Sequence, residues 1–139
     1  MTTIEYGPPL GLADARRVAD AAESEADRHG WAMVIAVFDS TGNLVVLHKM
    51  DHAQYGSIAL AQAKAKTATH FKRPTKLFED TIAQGGIGLR LLSAPDFCLF
   101  EGGIPLWREG KLVGAIGVSG AASAEDGIVA EAGARAFEG

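Results

Sequence analysis

The chain has 139 residues, 47% of them apolar and 22% charged, with a formal net charge of −4. That length supports one domain around one core, and the mild acidic balance leaves nucleic-acid binding without an electrostatic footprint. No apolar run approaches the roughly 20 residues that a membrane span needs, so no membrane partner is expected.

Residues 1–6 lack the charged and apolar regions of a signal peptide. The single cysteine, Cys98, sits in the apolar stretch Phe97-Cys-Leu-Phe100. One cysteine makes neither an internal disulfide nor an ordinary multi-cysteine zinc site. A buried thiol in a reducing compartment is the better reading, and the cytoplasm is the expected location.

Pro8-Pro9 fixes an extended lead-in. Residues 12–28 then read as a helix: Leu12, Ala15, Val18, Ala19, Ala22 and Ala26 follow three-and-four spacing. Asp14 suits the first turn, and Arg28-His29-Gly30 suits the end. Residues 31–38 are apolar at almost every position, with the β-branched content of a strand buried on both sides. Asp39-Ser-Thr-Gly42-Asn43 is a turn cluster, and 44–50 is the return strand. A hairpin covered on both faces requires helices on each side of the sheet.

After the loop 51–56, Ser57 opens a helix to about residue 72, ended by Pro74. A short helix is expected over 75–83, with a break at 84–88, and 89–94 fits no single pattern. Strands are expected over 96–101, 104–108 and 111–119, with Gly102-Gly103 as a bulge or turn and Glu109-Gly110 as a tight hairpin turn. A helix over 123–137 closes the chain, with no internal repeat and no linker.

Three constellations can carry chemistry. On the second long helix Ser57, Leu60, Ala61, Lys64, Thr67, Ala68 and Phe71 share a face, which puts Lys64 toward the sheet. A cation there must find a carboxylate, snorkel or lose its proton. Asp39, Asp51, Glu101 and Asp126 are the candidate partners; a general base is the alternative. Next, Glu101-Gly102-Gly103-Ile104-Pro105 can bend sharply and offer backbone N–H groups beside Glu101, or simply form a β-bulge. Likewise the run Lys111–Ser119 and Gly120 delivers the chain to a helix start, where Ser119 or Ser123 caps the helix or the free amides hold an anion. Among the histidines, His48 reads as half-buried and hydrogen-bonded, His29 as a helix-end cation and His70 as polar-side. His52 lies in a loop from which its ring can reach a ligand. None has metal-pair spacing on one helical face, so no metal site is expected.

Taken together, Ile35-Ala-Val-Phe-Asp39-Ser-Thr-Gly42, Lys49-Met-Asp51, Ala63-Lys64-Ala-Lys-Thr67-Ala68, Gly102-Gly103-Ile-Pro105 and Gly114-Ala-Ile-Gly-Val-Ser-Gly120-Ala121 resemble the GlcG/HbpS-like family of haem-binding proteins. Asp126 and Ala130 complete the pattern. The resemblance implies an α/β (α+β) fold, a profilin- or roadblock-like α-β-α sandwich with a five-stranded antiparallel sheet, assembled as a homo-oligomer. It implies a small-ligand-binding protein with haem as the cofactor the family allows, in a pocket between helix and sheet; the ligand-binding candidates among the residues read above are Gly102, Gly103, Ser119, Gly120 and His52. The alternative is a catabolic enzyme of lyase or isomerase type, moving a proton on a small carboxylate or cyclic intermediate with Lys64 as base or anchor and Glu101 or Asp126 as the acid. A purely structural subunit, packed through Ala19, Ala22, Ala59 and Ala63, is the third reading. The chain departs from the pattern at Trp31-Ala32, where haem-binding relatives carry a histidine, and at Gly127, which follows Asp126.

Overall fold

The structure, a computed structural model, describes residues 3–138, so the start of the 1–6 lead lies outside it. Helix α1 spans Leu12–His29, and its buried residues Ala15, Val18, Ala19, Ala22 and Ala26 are those of the apolar stripe save Leu12, which stays exposed in the first turn. Gly30 closes it in the left-handed conformation, φ 73°. The N–H groups of Gly30 and Trp31 then donate to the carbonyls of Asp27 and Ala26. That closure consumes Trp31, so strand β1 runs Val34–Asp39 rather than starting at residue 31.

With β2 (Leu44–Lys49), β3 (Gly103–Arg108) and β4 (Lys111–Ser119), β1 forms a sheet of order β2-β1-β4-β3, antiparallel at every step. Side chains alternate across β1. Val34, Ala36 and Phe38 pack with Ala61 and Ala65 of helix α2 (Gly56–Phe71). Ile35 and Val37 pack with Val18 and Ala22 of α1 and Val129 of helix α4 (Ser123–Glu138). Helices therefore cover both faces, as the continuous apolar run of β1 demands. The expectation fails for β2, an edge strand whose residues are all half-buried or exposed.

The sheet has four strands, not five. The missing one is residues 96–101, which form turns and irregular backbone. Their hydrogen bonds go to side chains instead of a ladder: the Cys98 N–H donates to Thr67 Oγ1 at 3.0 Å and the Glu101 N–H to Glu79 Oε2 at 3.4 Å. The segment thus lies against α2 rather than beside β3. Before it come helix α3 (Lys76–Ala83) and a 3-10 run over Gly86–Ser93, which settles the stretch that fitted no pattern. The extended lead-in adds an isolated parallel bridge, Tyr6 with Leu112.

Glycine sets how closely α2 approaches the sheet. A Cβ on Gly117 would run into the Ala61 carbonyl and come within 2.5 Å of the Ala65 nitrogen. This backbone-to-backbone contact brings Lys64 directly over the ends of β3 and β4.

Candidate functional site

Lys64 is 2% exposed, and two hydrogen bonds hold its ammonium. It donates to the Val118 carbonyl and to Asp126 Oδ2, each at 2.9 Å. Of the four carboxylates within reach by sequence, the structure selects Asp126, in the first turn of α4. Burial pushes the Asp126 carboxyl above its ordinary range, while the Lys64 ammonium and the Ala121 and Gly120 N–H groups pull the other way.

The turn leading into α4 holds an anion, and that anion is the protein's own. Asp126 Oδ1 accepts from the Ala121 N–H at 3.0 Å, and Glu125 Oε1 accepts from the Ala122 N–H at 3.1 Å. Two acidic side chains inside the first turn therefore do the capping, as favoured near the positive end of a helix. Ser119 does not cap: it is buried, and its hydroxyl donates to Ser57 Oγ at 3.1 Å. Gly120, φ 154°, packs on Ala32 and Met33, where a Cβ would lie 2.7 Å from the Ala32 carbonyl oxygen.

A cavity of about 340 Å³ opens on the outer side of this arrangement, between the start of β3 and α4. Glu101, Gly102, Gly103, Ile104, Gly127 and Ala134 line it, with Lys76, Glu131 and Arg135 around them. Lys64 lies behind the Gly102 wall: a Cβ on Gly102 would sit 3.1 Å from its Nζ. Gly103 is held by Thr75, whose hydroxyl accepts the Gly103 N–H at 2.9 Å. Glu101 is half-buried, and its carboxylate lies over Gly127, whose missing side chain makes the room. Burial raises the Glu101 carboxyl above its ordinary range; Lys76 opposes this, and Glu79, Asp80 and Asp126 add to it.

His52 is elsewhere. It sits at φ 70° in the loop after β2 and lines a second cavity, of about 610 Å³, with Trp31, Ala32, Lys49, Met50, Asp51, Glu23 and Asp27. One wall is reinforced by His29, stacked on Trp31 at 4.2 Å between ring centroids, and by the His29–Glu25 contact at 2.7 Å. His48 Nδ1 lies 2.9 Å from Glu23 Oε1 but out of hydrogen-bond geometry, so the hydrogen bond expected of it is not made. His70 is exposed.

The eight residues singled out by sequence thus fall into three places. Lys64, Asp126, Ser119 and Gly120 form the buried junction of α2, β4 and α4. Glu101, Gly102 and Gly103 face the smaller cavity, and His52 faces the larger. Trp31 and Gly127 enter the two cavities as residues whose sequence signal was a departure from a familiar pattern. Thr75, which anchors Gly103, carries no signal beyond its place at a helix start. Among the described residues no group of three or more His, Cys, Asp or Glu is arranged to hold a metal ion, and no helix is long and apolar enough to cross a membrane.

Comparison with known proteins places the chain in a family. GlcG of Escherichia coli is 36% identical over 105 residues, covering 76% of this chain and 77% of GlcG. Among solved structures, a double mutant of HbpS from Streptomyces reticuli superposes with a TM-score of 0.85 at 32% identity, over 97% of this chain and 89% of that one. A crystal structure described as a PduOC:haem complex matches with a TM-score of 0.83 at 30% identity, over 92% of this chain and 94% of that one. The family model described as "Haem degrading protein HbpS-like" matches residues 10–135. The chain belongs to the HbpS-like family.

Proposed function

We propose that this protein binds a small ligand, and that the ligand is haem or a comparably flat, partly apolar molecule seated in the larger cavity. The observation that carries the reading is the lining of that cavity: an imidazole, His52, and the ring of Trp31 in one space of about 610 Å³. Ligand cavities commonly span ~300–1,000 Å³ and combine apolar walls with a few polar groups. Trp31, Ala32 and Met50 supply the apolar surface, and Lys49 offers a cation to a carboxylate. The donor set fits a haem: one histidine for iron, one aromatic plane and one partner for a propionate. The exposed carboxylates of Glu23, Asp27 and Asp51 oppose a ligand that brings its own acids, so Lys49 is the residue that orients it. Bound haem, held through His52, would supply an iron centre for redox or ligand-binding chemistry. The haem complex of a relative at 30% identity supports this reading.

Titration of the metal-free protein with haem tests it. A red-shifted Soret band that saturates in the wild type and is lost in His52→Ala is expected, with Trp31→Ala weakening it. A spectrum that stays that of free haem ends the proposal, and a shift unchanged in His52→Ala moves the site elsewhere.

We also propose that copies of the chain assemble. Leu77, Ile87, Leu89, Leu92 and Phe100 are exposed on and beside α3 and the 3-10 run, with Ile87 at 79% and Leu92 at 67%. Apolar residues gathered in this way mark a contact surface. Light scattering that reports a monomer at working concentration would remove this part.

A further inference from the structure

The smaller cavity is unused by the reading above and shares no lining residue with the haem-type site. We propose that it is a second ligand site, taking a small organic cation (a primary ammonium or an amidinium on a short apolar body) against the Glu101 carboxylate.

Three observations carry it. First, Glu101 is the half-buried acid of the cavity and has no partner, whereas Glu138 at the rim is exposed. Among the described residues its carboxylate makes no hydrogen bond and no ion pair, whereas Lys76 is held by Asp80 at 3.0 Å and Arg135 by Glu131 at 3.4 Å. A half-buried acceptor left without a donor is a site for one. Second, the charges around it are mostly negative. Glu79, Asp80 and Asp126 all act on Glu101 in the sense that opposes its ionisation, with Lys76 alone among the named charges opposing them. Glu131 and Glu138 add two more acids at the cavity, against Arg135. An incoming anion meets that field unfavourably, and a cation relieves it. Third, the floor beside the carboxylate is bare or apolar: Gly102, Gly103 and Gly127 present backbone, and Pro74, Ile104 and Ala134 present carbon. Such a floor suits a short hydrocarbon body carrying the charge. The apolar floor beside the carboxylate matches a cation that carries carbon, which an organic ammonium or amidinium does.

The test uses the whole protein, labelled with nitrogen-15. It is titrated with n-butylammonium and benzamidinium chlorides and, at matched ionic strength, with sodium butyrate and n-butanol. At least one cation is expected to shift the amide signals of Gly102, Gly103 and Gly127 saturably at up to tens of millimolar, while butyrate and butanol leave them in place. Glu101→Gln should weaken the cation about tenfold or more, with the remaining amide signals unchanged. Gly127→Ala, which pushes the carboxylate aside, should weaken it as well. Failure of both cations to saturate, equal binding of butyrate, or unchanged affinity in Glu101→Gln each overturns the proposal. Haem titration of Glu101→Gln should match the wild type, so failure at one site is read separately from failure at the other.

Discussion

The Lys64 ammonium and the Asp126 carboxylate lie 2.9 Å apart, with side-chain exposures of 2% and 4%. The pair joins the middle of α2 to the first turn of α4, and the Val118 carbonyl of β4 takes another of the lysine's protons. Three elements therefore meet at one cation, and everything predicted for that residue follows from its burial.

Lys64→Met should destabilise the protein by ~3–5 kcal/mol, because breaking a buried pair from one side strands the other charge. Lys64→Met combined with Asp126→Asn removes that charge, keeps an acceptor for the Ala121 N–H and should recover part of the loss. Urea unfolding of the two variants decides the matter. A single variant as stable as the wild type would mean that the pair contributes nothing.

Glycine substitutions at two positions should behave oppositely. Gly117→Ala forces a methyl into the Ala61 and Ala65 backbone, which cannot give without lifting α2, and a cost of ~1–3 kcal/mol or more is expected. Gly127→Ala meets first the Cγ and carboxylate of the flexible Glu101 side chain, which can swing away. Helix propensity favours alanine by ~0.8–1 kcal/mol, so this variant should be neutral or slightly more stable. Thermal unfolding of both proteins provides the comparison.

Stability should carry a pH signature from Glu101. Its carboxyl lies above the ordinary 4.5 in the folded chain, first through burial and then through Glu79, Asp80 and Asp126, with Lys76 opposing. Between 4.5 and the raised midpoint the native state binds more protons than the unfolded chain. Stability attributable to this group is thus present below that window and falls as pH rises through it. Glu101→Gln should gain stability over the wild type at neutral pH, and the gap should close once the pH is below the unfolded-chain value. Denaturant midpoints at acid and neutral pH check the sign.

Cys98 should resist modification. It is 6% exposed, and burial raises its thiol above the ordinary value, so little thiolate forms near neutrality. A disulfide reagent such as Ellman's should react slowly with the folded protein and promptly in urea. Fast reaction under native conditions would mean that residues 96–101 open readily.

Much of the fold was legible because local pattern and packing agree. The stripe of α1, the doubly apolar β1 and the turn at Glu109-Gly110, φ 54° and 76°, each specify a single structure. The segment Phe97–Phe100 was not legible, since a short apolar run does not say what its backbone bonds to. Thr67 Oγ1, thirty-one residues away, supplies the answer. The burial of Lys64 was legible from helical spacing, but its partner was one of four until the length of β4 set the first turn of α4 above it. The glycines of β4 admitted both close packing and a ligand; at Gly117 the occupant is α2 itself. Gly127 stood out only as a departure, and the room it leaves for Glu101 is a tertiary fact.

Asp126 spends one oxygen on the cation from α2 and the other on the amide that precedes α4. Loosening either neighbour deprives the other, so α2 and the start of α4 should melt as one cooperative unit rather than fray separately. In native-state hydrogen exchange the Ala121 amide, although half-exposed and beyond the end of the sheet, should then be protected like the core strands. A turn that would ordinarily trade its proton within seconds becomes a reporter of opening in a helix sixty residues away.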